Sequence, residues 1–175
     1  MWNYARLALL AALLSSCSVM AVKRHEPNFR STREVTKIKG PFHVEAVAGA
    51  NEEMNKRLAA TALTCRLAAV NMPANNTVSA YLKQAFNDEL DAAGKLAEKG
   101  TPIVVTVKKL ESNTGIGKGD WTLDLDYSVK GKVYNVKTTT EFEGAYAGDT
   151  ACRNTGAALT DAVGENFVKF TQQLK

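Results

Sequence analysis

WTLDLDYSVKGKVYNVKTTTEF, residues 121–142, alternates almost without a break. Trp121, Leu123, Leu125, Tyr127 and Val129 take every second place, with Thr122, Asp124, Asp126 and Ser128 between them. Successive side chains of an extended chain point to opposite faces, so this is a strand with one apolar and one wet face. Lys130-Gly131-Lys132 turns the chain, and Tyr134, Val136, Thr138, Thr140 and Phe142 carry the alternation into a second strand. The stretch predicts a β-hairpin whose apolar face needs a cover.

The flanking sequence supplies that cover. Val78, Tyr81, Leu82, Ala85, Phe86, Leu90 and Ala93 fall on one helical stripe, with Lys83, Asn87, Asp88 and Asp91 facing away. Asn76 or Thr77 can cap this helix, and Gly94 can end it. Near the C-terminus, Asp149 or Thr150 can cap a second helix carrying Leu159, Val163, Phe167, Phe170 and Leu174 on its apolar side. Pro102 opens a nearly continuous β-branched run from Ile103 to Val107, which suits an interior strand, and Ser112–Asp120 reads as a glycine-laden loop.

Upstream, Phe42, Val44 and Ala46 alternate with polar neighbours in a short strand that Gly49 ends, and Asn51–Arg57 is a polar helical turn or loop. Leu63, Cys65, Leu67 and Ala69 alternate as a further strand, preferred over a helix running on from Asn51, and Asn71–Asn76 with Pro73 is a loop. These elements predict an α+β domain: a two-layer sandwich with a mostly antiparallel sheet of about five strands and two helices on one face.

The formal charge of +4 is not spread over that domain. Lys23, Arg24, Arg30, Arg33, Lys37 and Lys39 stand against only Glu26 and Glu34 between residues 18 and 40, so residues 41–175 are close to neutral. This argues against a nucleic-acid partner. Few large apolar residues and no period mark 18–40 as linker-like, a basic tether suited to an anionic surface or simply to solvent.

The chain opens with Arg6, an apolar run from Leu7 to Leu14, then Ser15-Ser16-Cys17. Eight apolar residues are too few to span a bilayer but suit the h-region of a secretory signal. Leu14-Ser15-Ser16-Cys17 resembles the lipobox of bacterial lipoproteins. The resemblance implies a leader at 1–16, cleavage, and acylation of Cys17 by lipid of the palmitate kind; composition and length then divide the rest into a basic tether at 17–40 and a single domain at 41–175. With Cys17 acylated, Cys65 and Cys152 remain in a compartment where thiols oxidise. A structural bond between them is the first expectation, with two free thiols or a redox pair as alternatives.

Leu63-Thr64-Cys65-Arg66-Leu67, Ser79-Ala80-Tyr81, Glu89-Leu90-Asp91-Ala92-Ala93-Gly94, Gly119-Asp120-Trp121-Thr122 and Thr150-Ala151-Cys152 carry a second likeness. Over residues 58–172 the chain resembles a family of small Gram-negative outer-membrane lipoproteins. More distantly it is similar to auxiliary lipoproteins of outer-membrane lipid transport. The resemblance implies a periplasmic α/β domain closed by a Cys65–Cys152 disulfide, and it supplies no catalytic residue. Ser18 after the cysteine, rather than Asp, looks like the signal for delivery to the outer membrane.

Candidate chemistry is sparse. His25 falls in the tether and His43 on the first strand, without evident partners for a triad or a metal. Asp124 and Asp126 share a wet strand face at i and i+2, a spacing that could seat a divalent cation, though a solvated face explains them better. Gly115-Ile116-Gly117-Lys118-Gly119 lacks phosphate-loop spacing and no helix follows it. Asn75-Asn76-Thr77 fits a glycosylation sequon that a bacterial lipoprotein would not use. No catalytic residue, metal ligand or cofactor is assigned. The sequence favours a non-enzymatic interaction or assembly module, held to the membrane by N-terminal acyl chains and meeting an envelope protein of unknown identity. The alternative is an auxiliary lipid- or ligand-binding component of envelope transport, which predicts an apolar pocket between helices and sheet.

Overall fold

The computed structural model describes residues 20–66 and 68–174. In chain order the elements are α1 (Phe29–Val35), β1 (Phe42–Gly49), α2 (Glu52–Ala59), β2 (Ala62–Cys65), β3 (Ala68–Asn71), α3 (Val78–Ala92), β4 (Thr101–Thr114), β5 (Lys118–Val129), β6 (Lys132–Glu143) and α4 (Gly148–Gln173). The fold is α+β. A four-stranded sheet runs in the order β1-β4-β5-β6, and β2 pairs with β3 in a separate hairpin. β1 lies parallel to β4 and the other pairings are antiparallel, so six strands form a mixed sheet and a satellite.

The 121–142 alternation sets the layers. Trp121, Leu123, Leu125, Tyr127 and Val129 of β5 are buried together with Ile103, Val105, Val107 and Leu110 of β4. A bulge between Val107 and Lys109 resets the pleat, which is how Val107 and Leu110 both face inward at an odd spacing. Phe86 of α3 stacks on Phe167 of α4 with centroids 5.2 Å apart, and Tyr127 stacks on Phe170 at 4.1 Å. These rings fill the space between sheet and helices.

α4 is buried on two sides, which its apolar periodicity does not reveal. One side meets the sheet through Leu159, Val163, Phe167 and Phe170. The other carries Gly156 and Gly164, against which the N-terminal segment lies. A Cβ at Gly156 would sit 2.7 Å from Val70 Cγ1 and 3.4 Å from the Ala21 carbonyl oxygen, so backbone and side chain approach there as only glycine permits.

This corrects the tether. From Met20 onward the 17–40 segment is part of the fold: the Asn71 amide donates to the Met20 carbonyl (2.9 Å) and the Val22 amide to the Asn71 carbonyl (2.8 Å). Val22, His25, Ser31, Val35 and Ile38 are buried. α1 forms because Asn28 and Ser31 close a reciprocal capping box ahead of it, a signal hidden in an otherwise polar run. The six basic side chains are exposed on the domain surface. Cys17 and the leader lie outside the described residues.

Other boundaries moved as well. Of the helical turn or loop expected over Asn51–Arg57, the helical reading holds: Asn51 caps a helix, α2, that runs on to Ala59. The 63–69 alternation is two strands joined by a turn in which Arg66 takes φ +51°, and Leu67 lies outside the described residues. The 112–120 loop contracts to a turn at 115–117, because β4 and β5 stay paired out to Thr114 and Gly119. Thr77 caps α3, whereas α4 starts after Ala147 with no side-chain cap; Asp149 instead sits in its first turn, where the helix dipole favours a carboxylate.

Candidate functional site

The wet face of β5 tests the cation idea first. Asp124 and Asp126 do converge, but on groups already present: Asn135 Nδ2 donates to Oδ1 of both, at 2.8 and 2.7 Å. Lys108 Nζ lies 3.7 Å from Asp124 and 3.2 Å from Asp126. An ammonium and an amide occupy the place a divalent ion would take. Among the described residues no group of three or more His, Cys, Asp or Glu side chains is placed to hold a metal.

A second polar group is buried beneath the N-terminal segment. His25 Nε2 and Glu89 Oε1 are 2.8 Å apart, with their side chains 4 % and 1 % exposed. Gly164 makes room for them, since a Cβ there would stand 3.1 Å from Glu89 Oε1 and 3.4 Å from His25 Cε1. Tyr81 is also buried on α3, and its hydroxyl has no hydrogen-bond partner among the described residues. Burial raises the Tyr81 phenol well above its ordinary value, with the nearby charges of Asp161 and Asp88 adding to the effect. Burial likewise raises the Asp88 carboxyl, an effect that Arg24 and His25 oppose and that Asp91 and Glu89 reinforce.

A histidine held by a carboxylate is two-thirds of a catalytic triad, and the third member decides. Among the described residues His25 Nδ1 has no hydrogen-bond partner, so none of their hydroxyls or thiols is bound to the imidazole as a nucleophile. The pair instead ties the N-terminal segment to α3. His43 sits apart, on β1 opposite Pro102. Glu89 was legible in principle: it falls three residues after Phe86 and four after Ala85, on the buried stripe of α3.

Two grooves adjoin this cluster. One, of about 670 Å³, runs between α1 and α4 and is lined by Arg30, Arg33 and Lys169 facing Glu34, Asp161 and Glu165. The other, of about 330 Å³, lies over His25 between Arg24 and Asp88. The residues that line them are mostly polar or charged and of mixed sign, unlike an apolar pocket between helices and sheet.

The disulfide end is the third feature. Cys65 and Cys152 are bonded, with Cα atoms 5.6 Å apart across a separation of 87 residues. The bond joins α4 to the β2–β3 hairpin, not to the main sheet. Next to it, Arg66 braces two loops. Its Nε donates to the Thr114 carbonyl (3.3 Å), Nη2 to those of Gly115 (3.4 Å) and Ala145 (3.0 Å), and Nη1 to that of Tyr146 (3.4 Å). The Gly144 amide donates to the Gly117 carbonyl at 3.0 Å, closing the same pair of loops. Held in this way, Ile116 is 63 % exposed and Tyr146 85 %. The glycine-rich loop thus has no phosphate geometry; it presents an isoleucine beside a tyrosine. In the sequon, Thr77 spends its hydroxyl on the α3 cap.

No protein-family model matches the chain, nor does any curated protein. A solved structure described only as that of an uncharacterized protein is similar to it at 13 % identity and a TM-score of 0.45, over 78 % of this chain and 92 % of the other.

Proposed function

We propose that the chain is a lipid-anchored lipoprotein of the bacterial envelope, acylated at Cys17. Its domain faces the periplasm from the outer membrane and works as a non-enzymatic interaction or assembly module. The observation that carries this reading is the fate of the cysteines. Of three in the sequence, two are joined in a disulfide, a bond that belongs to oxidising compartments, and the third directly follows a leader with lipobox residues. The lack of a nucleophile on His25 among the described residues and the prior engagement of Asp124 and Asp126 support a binding role over catalysis. The aromatic filling between helices and sheet favours a module over a carrier of apolar ligands.

Metabolic labelling with palmitate tests the reading. Label on the wild type, its loss in Cys17→Ser, and a mature N-terminus at Cys17 by mass spectrometry are the expected results. An unlabelled wild-type protein would overturn it. In-cell crosslinking then identifies the envelope partner.

A further inference from the structure

We infer that the Arg66-braced end of the domain, with Ile116 and Tyr146, is seated on the phospholipid surface that holds Cys17. This rests on the acylation proposed above and adds an orientation to it. Only three peptide links separate Cys17 from Met20, so the acylated residue lies within about 11 Å of it. Met20 is already bonded to Asn71, and Ala21 lies against Gly156, one helical turn from Cys152. The described domain therefore starts three residues from Cys17, and it meets the bilayer at its disulfide end.

That end carries Ile116 and Tyr146, exposed on loops that Arg66 holds in place. An aliphatic residue beside a tyrosine is the pairing suited to a membrane interface, where an amphipathic ring sits at headgroup level. Among the described residues, the other large apolar side chains more than half exposed are Phe29 and Val133, and both lie elsewhere. Phe29 opens α1, past His25 and Gly164, and Gly164 is about 12 Å further along α4 than Gly156. Val133 adjoins the β5–β6 turn, the length of β5, about 40 Å, from the 115–117 turn.

The test uses the full chain, processed in cells and purified from membranes. It is reconstituted into vesicles of phosphatidylethanolamine and phosphatidylglycerol, with plain or brominated acyl chains. Ile116→Trp, Tyr146→Trp and Val133→Trp each add one indole at an exposed site, above the common background of buried Trp121. Bromine quenching at 116 and 146 should be roughly twofold or more stronger than at 133. Equal quenching at all three, with the protein still floating with the vesicles, overturns the orientation and leaves the anchor standing. That is also the result if a protein partner or a second copy covers these loops. If the wild type itself fails to float, the anchor reading fails, and this inference with it.

Discussion

Asn166 joins helix to sheet with one buried amide. Its Oδ1 accepts from the Tyr127 hydroxyl at 2.8 Å, and its Nδ2 donates to Thr138 Oγ1 at 3.0 Å and the Val136 carbonyl at 3.3 Å. Asn166→Ala strands these partners in a dry core and is expected to cost about 3 kcal/mol, read as a lower urea midpoint. Tyr127→Phe, which frees only one acceptor, should cost about 1–2 kcal/mol in the same assay. Glu89→Ala leaves His25 buried without its partner and should lose about 2–3 kcal/mol. Asp88 gives a pH signature. A carboxyl whose pKa is raised by folding holds its proton more tightly in the folded state. Its contribution is therefore most favourable below the ordinary carboxylate pKa near 4 and declines as pH rises through the folded value. Asp88→Asn should accordingly gain on the wild type more at pH 7 than at pH 3 in urea titrations. Of these residues, Tyr127 and Val136 are marked by the alternation, and Asn166, three residues after Val163 and four before Phe170, falls on the apolar stripe of α4, whereas His25 has no such sign. Its burial depends on neighbours distant in the chain.

Elements were legible where one period ran long enough. The β5–β6 hairpin and α3 emerge as the alternation and the apolar stripe predict, and Lys130-Gly131 makes the turn with both residues at positive φ. The β2–β3 hairpin was read as one strand because its turn uses Arg66 in a left-handed conformation with no glycine to announce it. α1 was missed because seven residues with a single buried apolar side chain, Val35, have no stripe to detect. Two predictions belong to this scale. Replacing Cys65 and Cys152 together by Ala should lower stability by up to about 4.6 kcal/mol, the chain-entropy limit for an 87-residue loop. Alkylation without reductant should leave both cysteines of the wild type unmodified. Gly156→Ala gains about 1 kcal/mol of helix propensity, yet it drives a methyl into Val70. Net destabilisation of about 1–2 kcal/mol is expected in thermal melts, from overpacking.

At the scale of the whole molecule, the described chain closes first part against last. Val22 and His25 pack near the β2–β3 hairpin and α3, and α4, the final helix, lies beneath them. β1 finds its parallel neighbour β4 only after some fifty intervening residues have been placed. So high a share of distant contacts makes early, partial structures weak. A chain cut after Glu143 should stay protease-sensitive throughout instead of protecting a subdomain. On the export proposed above, a polypeptide threaded through a translocation channel from its N-terminus would have nothing rigid to jam the passage until α4 emerged, and the seam between Val22 and α4 would shut only on the far side.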